Sequence, residues 1–334
     1  MTGKPKLETV AREAGVSIAT ASQVMRGAGR ISDKTRSKVL KAAQKLHYVP
    51  DNRAASMRSG QNREIGFVIN KISNPFNAEV ISGVSDLLEA EGYLVSVLDA
   101  RDDPDRQGRH IDAFIRNGRG GLLWVPAEQT PHKTFDLLTA HRIPTVTFLR
   151  RPEGSGFDHV GIRNAEATAL ATHHLAGLGH RHIAYLGGEE LTAVRRERIA
   201  GYEATMSERD LGPAVIWDSN DIKQAGMEAM MALRAAHPET TAVVCNGDIV
   251  ALGACHGIRR LGLEPGRDVS VVGFDDIPDA AVATPPLTTM AVSPYQLGRR
   301  LARVMLERLS EPDGPVSVSE VSAELVLRAT TGPV

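Results

Sequence analysis

Residues 17–23 read "SIATASQ": hydroxyls at Ser17, Thr20 and Ser22, one amide at Gln23, and small side chains between them. Hydroxyls set this densely donate to phosphate oxygens, which fixes register without reading sequence, and an amide can bond in pairs to the edge of adenine. No charge interrupts the chain from Ala14 to Met25, although 24% of all residues are charged. Arg12, Arg26, Arg30, Lys34, Arg36 and Lys38 crowd the flanks. A second group of reactive types is dispersed. Asn74 and Phe76, Asn246 and Asp248, and Asp275 and Asp276 each follow an apolar run, and Arg198 lies in the segment after "HIAYLGG". An Arg, an Asp and an Asn converging on a cleft with an aromatic floor suit a polyhydroxylated ligand.

The elements that must carry the first group are short helices. Leu7, Val10, Ala11 and Ala14 recur at helical spacing and stop at Gly15. Ser17 is placed to cap a second helix whose inward face is Ala21, Val24 and Met25, ended by Gly27 and Gly29. Ser32 caps a third, "DKTRSKVLKAAQKLHY", with Val39, Leu40, Ala43 and Leu46 on one face and Pro50 as its breaker. Two helices joined by a tight turn form a helix-turn-helix unit, in which the second helix lies in the DNA major groove. An uncharged helix in a basic ring is what groove reading requires: Ala19 permits close approach, and the flanking cations face the backbone. Residues 51–60, "DNRAASMRSG", are a further helical segment, too short to be stable alone.

From residue 64 the pattern changes to "EIGFVI", "LVSVLD", "GLLWV", "PTVTFL", "HIAYLGG", "AVIWD", "TAVVCN" and "VSVVGF", separated by longer helical stretches. Such runs imply parallel sheets covered on both faces, and eight or more units exceed one sheet of usual size. The expectation is an α/β body of two similar doubly wound lobes behind an all-α head. In open sheets of this kind ligands sit at the carboxyl ends of strands, where the second group of residues falls. Asp276 is expected to be a helix cap rather than a ligand residue.

Charge divides the same way. Residues 1–63 hold 13 Lys+Arg and 4 Asp+Glu, giving +9, while the whole chain of 334 residues carries −1, so the remainder carries −10. A basic head on an acidic body is the signature of a nucleic-acid-binding module joined to another domain. The absence of an apolar signal-peptide core in "MTGKPKLETVAREAG" predicts a cytoplasmic protein, and no apolar run is long enough for a membrane span.

Enzyme readings fail on spacing. "GFVINKISNPF" lacks the dinucleotide-binding glycines, and neither a phosphate-binding loop nor a nucleophile elbow occurs. His173, His174, His180 and His182 match no zinc pattern, and Cys245 and Cys255 make neither a disulfide framework nor a four-ligand site. Asp102 and Asp103 lie in the polar stretch "DARDDPDRQ" and read as solvated. No cofactor and no metal are expected. The competing reading is a sugar-binding protein with no role at DNA, against which the basic head and the missing export signal both count.

The stretch from Leu7 to Ile69, "LETVAREAGVSIATASQVMRG…" through "…REIGFVI", resembles the head of the Lac repressor family without gaps. "SNPF", "HLAGLGHRHIAYLGG", "RRERIAGY", "CNGDIVALGACHGIRRLG", "SVVGFDDIPDA" and "TPPLTTM" extend the resemblance over nearly the whole chain. "GRIS", "GGEELTAVRRERIAGY" and "AVVCN" resemble, more weakly, the maltose-system repressor subgroup. The resemblance implies a ligand-responsive repressor that binds a palindromic operator as a homodimer under the control of a carbohydrate or sugar-acid effector. It implies base reading by Ile18, Ala19 and Gln23, and phosphate contacts from Ser17, Thr20, Ser22, Ser32 and Thr35. It also implies a hinge helix over 51–59, in which two copies pack through Ala54 and Ala55 and Met57 wedges into the minor groove, where most relatives have Leu. Effector contacts fall on Phe76, Arg198, Asn246 and Asp275. The domains are then a head over 1–50, a hinge and linker over 51–62, one lobe over 63–161 plus 290–321, and the other over 162–289 plus 322–330. The chain stops near Val334 without a heptad tail, which predicts a dimer rather than a tetramer. Two departures bear on the ligand: Leu149, just before Arg150, and Arg163 stand where many relatives have Asp. Two carboxylates lost and an Arg gained would shift preference towards an anionic ligand.

Overall fold

A computed structural model describes residues 4–50, 62–189 and 192–334, in two compact units that divide after Asn62. The first unit is helical: α1 (Leu7–Ala14), α2 (Ile18–Met25) and α3 (Asp33–Lys45). Val10, Ala11, Ala21, Val24, Val39, Ala42 and Ala43 form its core. Gly15 adopts φ +66° between α1 and α2, the left-handed conformation that ends a helix at little cost in glycine. Two expectations are corrected. Leu40 is 48% exposed, because Ala42 takes the inward position. α3 ends at Lys45, short of Tyr48, because His47 turns to φ +49°. The hinge segment 51–59, with Ala54, Ala55 and Met57, lies outside the described residues.

The second unit holds two six-stranded sheets. The first is built from β1 (Glu64–Ile69), β2 (Leu94–Asp99), β3 (Gly121–Trp124), β4 (Thr145–Phe148) and β5 (Asp158–Ile162), in the order β2-β1-β3-β4-β5, and β11 (Val318–Val321) joins beyond β5. The second repeats the plan with β6 (Ile183–Leu186), β7 (Val215–Trp217), β8 (Ala242–Cys245), β9 (Ser270–Asp275) and β10 (Thr288–Ala291), ordered β7-β6-β8-β9-β10. β12 (Glu324–Val326) closes that sheet as its one antiparallel edge. The chain passes between the sheets after Ile162, after Ala291 and after Val321.

Helices cover both sheets: α4 (Pro75–Ala90), α5 (Pro104–Arg116), α6 (His132–Ala140), α7 (Asn164–Gly177), α8 (Ala193–Glu208), α9 (Lys223–Ala236), α10 (Asp248–Arg260), α11 (Pro278–Val282) and α12 (Pro294–Ser310). Three helix pairs meet backbone to backbone through glycine. A Cβ on Gly83 of α4 would stand 2.0 Å from the Tyr295 carbonyl oxygen of α12. One on Gly201 of α8 would stand 2.0 Å from that of Ala165 in α7, and one on Gly253 of α10 would stand 2.2 Å from that of Lys223 in α9.

Candidate DNA-reading face and effector cleft

In the helical unit, α2 presents its uncharged face outward. Ser17 is its N-cap: the Ser17 hydroxyl oxygen accepts from the Thr20 N–H at 3.1 Å and lies 2.9 Å from the Thr20 hydroxyl. Ser32 and Thr35 repeat the arrangement at α3, at 3.3 and 3.0 Å. Caps and phosphate contacts are compatible, since a helix N-terminus carries partial positive charge and favours an anion. The first turn of α2 holds no acidic residue, whereas that of α3 holds Asp33, so the α2 end is the better phosphate seat. Ile18 is 51% exposed on this polar helix, Ala19 and Gln23 are exposed beside it, and Ser22 is half-buried. An exposed branched apolar side chain next to an amide suits a base edge that carries a methyl group.

In the second unit, a cleft of about 500 Å³ opens where carboxyl ends of strands from both sheets face each other. Phe76, Arg198, Asn246 and Asp275 all line it, as does Asn74. Asn74 also caps α4, accepting from the Phe76 N–H at 3.1 Å, and the Phe76 ring lies parallel to Phe148 with centroids 6.3 Å apart. Arg198 is 6% exposed. Its guanidinium lies 3.5 Å from the Phe274 ring centroid and donates to Asn164 Oδ1 at 2.9 Å and to the Asn246 carbonyl. Asn246 is fixed in turn: its Oδ1 accepts from the Tyr185 hydroxyl at 2.7 Å, and its Nδ2 donates to Asp221 at 3.0 and 3.2 Å. Asp275 is buried at the end of β9 with φ +111°. Burial pushes its carboxyl well above the usual carboxylate range; Arg198 pulls it back, and Asp248 and Asp221 push it further up.

Several expectations about neighbouring residues change. Asp248 does not line the cleft. It is fully buried, accepts from the Thr289 hydroxyl at 2.5 Å and the Ile277 N–H at 2.9 Å, and is pushed up to about 7 by burial. Asp276 caps no helix: the N-cap of α11 is Ile277, and Asp276 pairs with Arg328 at 2.7 Å. Asp102 is half-buried and paired rather than free in solvent: it grips Arg150 with both oxygens, at 2.5 and 2.7 Å, while Asp103 caps α5. Arg163 lies outside the cleft lining, exposed and 3.5 Å from Glu166, so it lends nothing to an anionic ligand. Asp221 and the orienting residues Asn164 and Tyr185 are additions to the expected set. Asp221 could have been found, since it follows the run "AVIWD" as the others follow theirs.

Of the four clustered histidines, His180 has a structural place. His180 is buried with Nδ1 2.9 Å from the Thr241 hydroxyl and Nε2 3.0 Å from both the Ser270 hydroxyl and the Gly332 carbonyl. Burial lowers its pKa, so the neutral ring is the favoured form.

Residues 6–51 match the model for bacterial regulatory proteins of the lacI family, and residues 172–331 that for a periplasmic binding protein-like domain. The HTH-type transcriptional repressor PurR of Mannheimia succiniciproducens is 30% identical over 324 residues, covering 96% of this chain and 97% of its own. PurR of Vibrio campbellii is 31% identical over 327 residues, with 97% and 98% covered. The chain is also similar to the Lac repressor dimer bound to operator and the anti-inducer ONPF. That structure superposes with a TM-score of 0.86 at 27% identity, over 99% of this chain and 100% of that one. A complex of the regulator CelR with cellobiose gives a TM-score of 0.73 at 26% identity, over 98% and 100%. With a helical head and a strand-end cleft on a frame of two doubly wound sheets, this chain belongs to the LacI family of DNA-binding transcriptional regulators, and it is not an enzyme.

Proposed function

We propose that the protein is a cytoplasmic repressor that binds a palindromic operator as a homodimer and changes its DNA affinity when a neutral, polyhydroxylated effector enters the cleft. One observation carries the effector reading: Arg198, Asn246 and Asp275 converge, with Phe76, at strand ends of both sheets. The cleft lining carries Lys71, Arg101, Arg150 and Arg198 against Asp99, Asp102, Glu189, Asp221 and Asp275. Arg150 is already paired with Asp102 and, at 3.2 Å, with Glu128. That balance favours a neutral carbohydrate over a sugar acid, and a relative's complex with cellobiose supports the class. On the DNA side, Ile18, Ala19 and Gln23 read bases, Ser17, Thr20, Ser22, Ser32 and Thr35 hold phosphates, and Ala54 and Met57 act in the hinge. The working division is a head over 1–50, a hinge over 51–62, and lobes over 63–161 plus 290–321 and 162–289 plus 322–330. The test is a selection from random duplexes followed by calorimetry with matched neutral and acidic sugars. The expected result is a palindrome, with heat only from neutral ligands; selection of no palindrome, or binding of the acids alone, overturns the reading.

A further inference from the structure

α8, the helix that carries Arg198, begins without a cap of its own. Its N-cap residue Thr192 makes no side-chain cap bond; the Thr192 hydroxyl donates instead to the Glu189 carbonyl at 3.3 Å. The missing acceptor comes from the other sheet. Glu128, in the loop after β3, accepts from the Ala193 N–H at 2.6 Å through Oε1, and its Oε2 lies 3.7 Å from the Arg196 guanidinium. On its own side, Glu128 Oε1 lies 3.2 Å from Nε of Arg150. Arg150 is almost fully buried, held by both oxygens of Asp102 and donating to the Pro126 carbonyl at 3.0 Å. One charged chain therefore runs from Asp102 through Arg150 and Glu128 into the first turn of α8. It crosses from one sheet's lobe to the other beside the cleft, which Asp102, Arg150 and Thr192 line.

We propose that Glu128 is a positioning residue: a carboxylate clasp from one lobe that caps α8 of the other, holding the lobes together and Arg198 in register. The inference rests on the reading of the cleft as the effector site only for its consequence. A carboxylate at a helix N-terminus gains from the unpaired N–H groups and from the helix dipole. An opposing lobe that supplies it makes the start of α8 depend on closure. Closure then need not be created by the effector alone, and any loss of the closed fraction weakens effector affinity in proportion.

The test uses the full-length protein and no effector, so its failure leaves the reading of the cleft untouched. Two readouts are followed. One is amide exchange over residues 193–196. The other is the distance between spin labels at Asp105→Cys and Asn220→Cys, in dimers diluted with unlabelled chain. Glu128→Ala should speed that exchange by about tenfold, the size of a lost cap, and should lengthen or broaden the distance, while exchange in β8 stays unchanged. Thr192→Asp added to Glu128→Ala should restore the slow exchange but not the distance, because a local cap replaces the acceptor and not the link between lobes. An unchanged distance in Glu128→Ala, or a distance restored by Thr192→Asp, overturns the proposal.

Discussion

Arg198, the proposed effector contact, is held by its own neighbours: Asn164 holds its Nε, the Asn246 carbonyl holds an Nη, and Phe274 lies against its face. Hydrogen bonds to charged groups are worth about 1.5–3 kcal/mol each. Arg198→Ala should therefore lower effector affinity by roughly tenfold to a hundredfold in calorimetry, and Asn164→Ala, which only frees the guanidinium, by less. Asp248 yields a prediction about pH. Its folded carboxyl titrates near 7, against 3.8 for the ordinary group. The native state therefore holds more protons than the unfolded state between those values. The stability this contributes is complete below the lower value and is lost as pH rises to the upper one. Relative to Asp248→Asn, the wild type should lose at most about 1.4 kcal/mol per pH unit as pH rises from 5 towards 7, with the loss levelling off by about pH 8. Urea midpoints for both proteins from pH 5 to 8 check this; parallel profiles would contradict it. That Phe76, Arg198, Asn246 and Asp275 line one cleft was legible, because Phe76, Asn246 and Asp275 follow apolar strand runs and the family resemblance marked Arg198, which lies within α8. Asn164, Tyr185 and Glu128 were not, because each acts through a partner at least 33 residues away in sequence. The unequal fates of Asp102 and Asp103, neighbours in one polar loop, likewise turn on where Arg150 lies in space.

At the scale of elements, the eight apolar runs all became strands, whereas β5, β10, β11 and β12 carried no such signal. β5 is fully buried yet contains Asp158 and His159. It tolerates them because Arg308 binds the Asp158 carboxylate at 2.6 and 2.8 Å and the Thr147 hydroxyl meets His159 Nδ1 at 2.9 Å. Local hydrophobicity cannot report a strand whose polar groups are paid for by partners elsewhere in the chain. The glycine seams are equally silent in sequence, since nothing in "VISGVSD" says that Gly83 faces a carbonyl. They yield a strong prediction. A Cβ at 2.0 Å from a backbone oxygen cannot be absorbed by a rotamer change, so α4 and α12 must separate. Gly83→Ala and Gly201→Ala should each cost at least about 2 kcal/mol, while Gly108→Ala, on α5 with open space around it, should be neutral or mildly stabilising. Ser17→Ala should remove about 1 kcal/mol from the helical unit through its lost cap. Thermal melts of the four variants separate these outcomes, and a tolerated Gly83→Ala would mean that the seam is looser than its geometry.

For the molecule as a whole, a +9 head coupled to a remainder of −10 makes DNA affinity an electrostatic quantity with a local source. If about 6–10 phosphates are neutralised, affinity should fall by on the order of a thousandfold or more between 50 and 200 mM salt. Anisotropy titrations across that range check it, and a flat response would remove the phosphate role assigned to the head. Coupling between head and cleft is then a matter of linkage. An effector shifts operator binding only by the difference in its affinity for the two arrangements of the protein, and operator must shift effector binding by the same factor. We propose that the segment 51–59, which lies outside the described residues, carries this coupling through Met57. In that proposal Met57 enters between base steps, at a cost of a few kcal/mol that the wrapped contacts must offset. Met57→Gly should therefore weaken operator binding by more than tenfold while leaving effector affinity, measured without DNA, unchanged. Arg198→Ala should do the reverse, keeping operator affinity within about threefold while effector, at the concentrations that act on the wild type, no longer alters it. Both variants are to be measured in one titration scheme, operator against effector and effector against operator. A Met57→Gly protein with intact operator affinity, or an Arg198→Ala protein that still responds to effector, would show that hinge and cleft do not divide the work in this way.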